Sequence, residues 1–161
     1  MIKAGIITVS DGVYRGERQD ANRAIIEELV GAVGAEVVYY KIVPDVRREI
    51  EDTLIYTADE LNLDIVFTNG GTGFSQRDVT PEATRAVLDR EAPGLAEIMR
   101  LETWKTSPAA ILSRGVCGLR GETLIINLPG SPAGVRECLG IILQQLPHAV
   151  RMARLAGGGH E

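Results

Sequence analysis

A glycine-rich loop between a predicted strand and a predicted helix constrains the fold of this chain more than any other feature. Residues 65–68 are a β-branched and aromatic run that predicts a buried strand. The loop NGGTGFSQRD follows at 69–78, and Thr80 with Pro81 predicts a helix N-terminus capped by Thr80. Glycines let the backbone approach a ligand, and the free N–H groups of a helix N-terminus favour an anion. The stretch is therefore a candidate phosphate-binding loop.

This loop has a second interpretation, because glycines before a helix also form turns that bind nothing. It matches neither common nucleotide motif, since it lacks the Lys-Ser/Thr of a P-loop and the G-x-G-x-x-G spacing of a dinucleotide fold. The polar residues Gln76, Arg77 and Asp78 favour a functional loop. A simple turn needs neither a cation nor a carboxylate beside its glycines.

Composition limits the possible partners and compartments. The 161 residues predict one domain over 1–155, followed by a glycine-rich flexible tail at 156–161. The net charge of −5, without a basic run, argues against nucleic acid as the main partner. Cys117 and Cys138 lack metal-site spacing and are assigned to packing. No apolar run approaches the ~20 residues of a membrane span, and residues 1–3 lead directly into a strand, so we expect a cytoplasmic protein with no membrane partner.

Strands and helices alternate along the first two thirds of the chain. Strands are predicted at 4–9, 36–43 and 65–68, and helices at 25–33 after a cap at Asp20, at 46–61 after a cap at Asp45, and at 81–89, with a mobile loop at 13–19. This order predicts a mainly parallel, doubly wound sheet between two helical layers. After Trp104, runs at 116–119 and 122–128 predict a hairpin that adds one antiparallel edge. The expected fold is a three-layer α/β/α domain.

Polar residues and glycines follow each predicted parallel strand, and ligands of such sheets bind outside the carboxyl ends of the strands. The residues at these ends are Ser10 and Asp11, then Asp45, then Gly70 to Asp78, and finally Pro129, Gly130 and Ser131. Carboxylates beside anion sites would repel a polyphosphate unless a metal such as Mg²⁺ bridged them, which points to metal-assisted phosphate chemistry. Each of these residues also has a purely structural interpretation. Asp11 could close a turn, Asp45 and Ser131 could cap helices, and Asp78 could hold Arg77 in place.

Four motifs in register resemble the molybdenum-cofactor biosynthesis proteins of the MogA and MoaB type. They are TVSD at 8–11, GGTG at 70–73 with RDVTPEA at 77–83, AILSR at 110–114, and NLPGSP at 127–132. The resemblance covers about residues 4–150. It implies molybdopterin adenylyltransferase activity, in which the terminal phosphate of molybdopterin attacks the α-phosphorus of ATP with Mg²⁺ present and pyrophosphate is released.

The resemblance also implies roles for individual residues. Asp45 and Asp78 match the family's two functionally important aspartates, and we expect both to be catalytic and to hold Mg²⁺. Binding of ATP and molybdopterin is expected from Ser10, Asp11, Gly70, Gly71, Thr72, Gly73, Pro129, Gly130 and Ser131. The alternative is a protein that binds molybdopterin without adenylylating it.

Family members are typically trimeric, so we expect a homotrimer. The apolar residues Leu95, Ile98, Met99 and Trp104, where the alternating pattern breaks, are the predicted interface. A downstream molybdate-inserting protein is a candidate partner.

Overall fold

A mixed sheet organises the protein, and the computed structural model describes residues 1–156. The strands are β1 (Ile2–Val9), β2 (Ala35–Val43), β3 (Ile65–Asn69), β4 (Arg90–Glu91), β5 (Cys117–Arg120) and β6 (Thr123–Leu128). Their order in the sheet is β2-β1-β3-β6-β5-β4. The pairs β1–β2, β1–β3 and β3–β6 are parallel, whereas β5 runs antiparallel to β4 and β6. This confirms the predicted sheet with its antiparallel edge.

Helices cover both faces of the sheet. They are α1 (Asp11–Tyr14), α2 (Asn22–Gly31), α3 (Arg47–Ile55), α4 (Thr80–Val87), α5 (Pro93–Trp104), α6 (Pro132–Ile142) and α7 (Leu146–Ala156), with a π-helix at Tyr56–Glu60 and 3₁₀ turns at Pro108–Leu112 and Leu143–Gln145. Phe67 belongs to the core under α2, α5, α6 and α7, and its neighbour Val66 to the core under α3 and α4. Successive strand residues face opposite sides of a sheet, so two cores form and the three-layer prediction is confirmed. Within residues 1–156, no helix combines the length and the apolar character needed to cross a membrane.

The register of the parallel strands brings their carboxyl ends to one level. Val9 at the end of β1 lies opposite Val43 at the end of β2. On the other side of β1, Thr8 lies opposite Asn69, which in turn lies opposite Leu128 at the end of β6. The loops after β1, β2, β3 and β6 therefore meet along one edge, as the sequence predicts.

Three predicted helix caps do not hold the N-cap position. The residue before α2 is Ala21 and not Asp20, although Asp20 Oδ1 accepts the Asn22 N–H at 2.9 Å. The residue before α3 is Val46 and not Asp45, whose carboxylate accepts the Asp11 N–H instead. The residue before α4 is Val79, and Thr80 already belongs to the helix. The Thr80 hydroxyl donates to the Gly70 carbonyl at 2.9 Å, so it braces the glycine loop and does not cap the helix.

Smaller differences concern short elements with weak sequence signals. The predicted helix at 46–61 becomes a π-helix in its last turn, and the predicted loop at 13–19 begins inside α1. The two-residue strand β4 was not predicted, and α7 extends to Ala156, the first residue of the expected tail. The rest of that tail lies outside the described residues. The Ser131 cap is confirmed, since its side chain accepts the Gly134 N–H.

Candidate active site

A polar cavity of about 610 Å³ lies at the carboxyl edge of the sheet. The predicted site residues that line it are Ser10, Asp45, Gly70, Gly71, Asp78, Gly130 and Ser131. Asp11, Thr72, Gly73 and Pro129 do not line it. The edge therefore gathers both predicted catalytic aspartates in one cavity.

The backbone of the glycine loop is shaped by close contacts within the protein. Gly70 and Gly71 have φ angles of 98° and 70°, in the left-handed region that favours glycine. A Cβ atom on Gly70 would overlap the Val9 carbonyl oxygen, and one on Gly71 would overlap the Thr80 hydroxyl. The N–H groups of residues 71–73 donate to no acceptor within residues 1–156. Of these three residues only Gly71 lines the polar cavity, so the phosphate-binding role of the loop stays a prediction that depends on the Gly71 N–H.

Asp11 and Asp45 hold each other through reciprocal hydrogen bonds. The Asp11 N–H donates to Asp45 Oδ2 at 2.8 Å, and the Asp45 N–H donates to Asp11 Oδ1 at 2.9 Å. Arg77 donates to Asp11 Oδ2 from Nε at 3.0 Å and from Nη2 at 2.9 Å. The Asp45 N–H, and then Arg77, keep the pKa of the Asp11 carboxyl below its ordinary value. Both Asp11 oxygens are thus engaged by the protein.

Asp45 and Asp78 each keep one carboxylate oxygen uncommitted. Asp45 Oδ2 accepts from Asp11, and Asp78 Oδ2 accepts the Ser75 N–H at 2.9 Å, whereas neither Oδ1 accepts a hydrogen bond from the described residues. Burial raises the pKa of the Asp45 carboxyl above its ordinary value, and the charge of Asp78 acts in the same direction. The pair behaves as two neighbouring negative charges.

The donor set fits a cation held by two carboxylates. In the described part of the chain, no group of three or more His, Cys, Asp or Glu side chains could hold a metal ion. Mg²⁺ is commonly bound by one or two carboxylates together with substrate phosphates, and the uncommitted oxygens of Asp45 and Asp78 supply that number. The remaining ligand positions of such a cation are open to water or to substrate phosphates.

Arg114, for which the sequence suggested no role, secures the glycine loop. Its guanidinium donates to the Gly73 carbonyl at 2.8 Å and to the Asp78 carbonyl at 2.7 Å, and its N–H donates to the Thr72 carbonyl at 2.9 Å. The same guanidinium pairs with Glu82 at 2.6 Å. Arg114 therefore holds the middle of the loop, at Thr72 and Gly73, and its last residue, Asp78.

A buried amide network forms the floor of the cavity, and sequence reasoning missed it. Asn22 Nδ2 donates to Asn69 Oδ1 at 2.9 Å and to the Gly130 carbonyl at 2.8 Å. A carbonyl only accepts, so the Gly130 contact fixes which end of the Asn22 amide carries the donor. Asn22 Oδ1 is buried and accepts no hydrogen bond within residues 1–156. The only sequence signal for the network is Asn69, an amide at the end of an apolar strand.

The network continues to a carboxylate on the same cavity wall. Asn69 donates to the Thr8 hydroxyl at 3.0 Å, and Thr8 donates to Asp20 at 2.6 Å. Tyr40 also donates to Asp20, and burial together with this contact raises the pKa of Tyr40 to about 12. Asp20 therefore anchors a chain of donors that ends at Gly130.

Two more residues shape the opening near α1. The Ser10 hydroxyl accepts the Val13 N–H at 3.2 Å, which makes Ser10 the cap of α1, and it also accepts from Arg18 at 3.0 Å. Arg18 lines the cavity as well. It is a cation that sequence reasoning missed, because it lies in the stretch interpreted as a mobile loop.

A second cavity, of about 300 Å³, adjoins the first and shares Ser131 with it. Its walls are mainly apolar and include Ala96, Met99, Pro129 and Cys138. Burial raises the pKa of the Cys138 thiol to about 11, so this cysteine behaves as a packing residue, as predicted. The site thus consists of a polar cavity joined to a smaller, more apolar one.

The fold and the site together define an open α/β domain with a polar, glycine-lined cavity at the carboxyl edge of its sheet. The chain belongs to the family described as "Probable molybdopterin binding domain", whose model matches residues 5–148. A solved structure of the molybdopterin biosynthesis enzyme MoaB from Thermus thermophilus is similar, with a TM-score of 0.90 and 53% identity over 95% of this chain and 96% of that chain.

Two relatives show how the family's lengths differ. A protein named molybdopterin adenylyltransferase from Helicobacter pylori is 42% identical, over 92% of this chain and 86% of that protein. The molybdenum cofactor synthesis protein cinnamon from Drosophila melanogaster is 43% identical over 94% of this chain. This chain spans 25% of the length of the Drosophila protein.

Proposed function

We propose that this chain is a Mg²⁺-dependent molybdopterin adenylyltransferase. An oxygen of the terminal phosphate of molybdopterin forms a bond to the α-phosphorus of ATP, the bond from that phosphorus to the bridging oxygen breaks, and pyrophosphate leaves with the bonding electrons. The observation that carries the proposal is the pair Asp45 and Asp78, each with an uncommitted oxygen, in one cavity with a glycine loop. The name of the Helicobacter pylori relative supports the same activity.

The residues of the polar cavity suit the phosphates of this reaction. Asp45 and Asp78 would hold Mg²⁺, which supplies neutralising charge when it is bound. The N–H group of Gly71 and the N-terminus of α6 at Ser131 would stabilise phosphate oxygens. Arg18, on the same wall, adds a cation. Phosphoryl transfer needs mainly positioning and electrostatic stabilisation, and these groups provide both.

The two cavities support a division between the substrates. A pterin is a planar ring system with few charges, and the apolar walls around Met99 and Cys138 match it. The polar cavity matches the nucleotide and its phosphates. Ser131 borders both cavities, so its turn lies where the phosphate of one substrate would meet the α-phosphate of the other.

A homotrimer is part of the proposal, with a revised surface. The prediction that Met99 lies in the interface is wrong, because Met99 packs in the core. Leu95 also packs against that core, whereas Ile98 and Trp104 stay exposed, at 37% and 46%. Leu101 and Ile111, 59% and 55% exposed, add apolar surface beside them. We expect light scattering to give about three times the chain mass of 17.4 kDa, and a mass equal to one chain at micromolar concentration would refute the trimer.

We place the protein in the cytoplasm, where ATP is available, with a molybdate-inserting protein as the candidate acceptor of its product.

The product identifies the reaction directly. Molybdopterin, ATP and Mg²⁺ incubated with the protein should yield adenylylated molybdopterin by mass spectrometry and an equal amount of pyrophosphate. Omission of molybdopterin is the control for simple ATP hydrolysis. Tight molybdopterin binding without either product would instead establish the alternative, a binding protein without adenylylation activity.

A further inference from the structure

Arg77 and Asp11 form a bridge between the two candidate catalytic carboxylates. Arg77 directly precedes Asp78 in the loop after β3, and its guanidinium reaches Asp11 after β1 through Nε and Nη2. Asp11 in turn exchanges two hydrogen bonds with Asp45 after β2. Three loops from three parallel strands are thereby joined in one chain of contacts that begins beside Asp78 and ends at Asp45.

The loop that carries Asp78 needs such an anchor. Residues 74–77 are exposed, and Phe74 is 71% exposed, so the segment has little apolar packing. Asp78 and Asp45 line the same cavity, and both side chains are carboxylates. Two like charges favour separation of their loops. Arg114 holds the residues on either side of this segment, Gly73 and Asp78, through their carbonyls. Arg77 ties the segment to the strand ends that carry Asp11 and Asp45.

We propose that Arg77 and Asp11 are positioning residues that set the spacing between Asp45 and Asp78 for a divalent cation. The inference deepens the proposed function and rests on it for the role of the two aspartates. Neither Arg77 nor the Asp11 carboxylate needs to contact the cation, because Asp11 has both oxygens engaged and Arg77 carries a positive charge. They act through the position of the two loops.

Arg77→Met separates positioning from plain electrostatics, because the two effects have opposite signs. Removal of a positive charge near two carboxylates should strengthen the binding of a bare cation, whereas loss of positioning should weaken it. We expect Arg77→Met to weaken the binding of Mn²⁺ alone, followed by electron paramagnetic resonance, by about tenfold. Asp11→Asn should weaken it as well, and the double variant should be no weaker than the worse single variant, because both changes break the same bridge. Arg77→Lys should restore part of the affinity.

Arg85→Met is the matched control. Arg85 also pairs with a carboxylate, that of Glu91, and its side chain is 54% exposed compared with 60% for Arg77. Both variants lose one positive charge from a similarly exposed ion pair. This variant should bind Mn²⁺ within about twofold of the wild type. Equal or tighter Mn²⁺ binding by Arg77→Met, or no Mn²⁺ binding by the wild type, would overturn the proposal. The titration contains neither ATP nor molybdopterin, so its result is independent of the adenylylation assay. Failure of the positioning proposal and failure of the proposed function are therefore distinguishable.

Discussion

Asn22 at the start of α2 donates a hydrogen bond of 2.8 Å to the carbonyl of Gly130, more than a hundred residues later in the chain. The contact joins one wall of the polar cavity to the turn that precedes α6. It also orients the peptide between Gly130 and Ser131, the residue that borders both cavities. A neutral amide thereby supports the part of the site where the two substrates are proposed to meet.

Replacement of Asn22 should destabilise the fold and disturb this turn together. Asn22→Leu keeps a similar volume but leaves the Gly130 carbonyl and Asn69 without their donor, which costs about 1–3 kcal/mol. Asn22→Asp should be worse at neutral pH, because a carboxylate would face two acceptors. Urea denaturation measures the free energy of unfolding of both variants. The control is Gln144→Leu, at an exposed position in the 3₁₀ turn Leu143–Gln145. Two variants as stable as the wild type would show that the network does not stabilise the fold.

Gly71 should be required by the fold as well as by the ligand. Gly71 and Gly121 both have positive φ angles, 70° and 57°, but a Cβ atom on Gly121 would meet nothing, whereas one on Gly71 would overlap Thr80. Gly121→Ala therefore measures backbone strain alone, about 1 kcal/mol. Gly71→Ala should cost at least about 1 kcal/mol more, measured by thermal or urea unfolding. Equal costs would mean that the Thr80 contact is easily relieved, and the glycine would then be explained by backbone conformation alone.

Asp45 should limit stability at neutral pH in metal-free buffer. Its carboxyl has a pKa raised chiefly by burial, so the folded state favours the protonated form. This contribution to stability is fully present below the ordinary pKa of 3.8 and is lost as the pH rises through the folded-state pKa. Asp45→Asn should therefore raise Tm at pH 7, and the gain should vanish near pH 3.

The matched control for this pH series is Asp52→Asn, whose side chain is 61% exposed on α3. It should leave Tm nearly unchanged at both pH values. A lower Tm for Asp45→Asn at pH 7 would mean that the ionised carboxylate stabilises the loops through its contact with Asp11 more than its burial destabilises them.

The sequence predicts the fold better than it predicts the contacts of the site. Strands β1, β2, β3 and β6 are apolar or β-branched runs, which are local signals, and the Ser131 cap depends on neighbours only three residues away. The π-helix and the two-residue strand β4 have no comparable periodic signal. Thr80 shows the limit of local rules, because a residue with a good cap propensity used its hydroxyl for Gly70 instead.

The missed site residues act over long sequence separations. Arg114 reaches the loop at Gly73 and Asp78, and Asn22 reaches Asn69 and Gly130, so their roles exist only after the strands have paired. The sequence predicts that Asp11 lies at the edge of the site. It does not predict that the Asp11 carboxylate accepts hydrogen bonds from Asp45 and Arg77. The predicted assignments of the individual site residues remain predictions.

The kinetics of Asp45→Asn and Asp78→Asn test the central claim most directly. Both substitutions keep the side-chain shape and remove the charge proposed to hold Mg²⁺. Pyrophosphate release with molybdopterin, ATP and Mg²⁺ should fall by orders of magnitude, while molybdopterin affinity should change by less than about tenfold, or ~1.4 kcal/mol. Wild-type turnover that survives in both variants would contradict the assignment of these two aspartates.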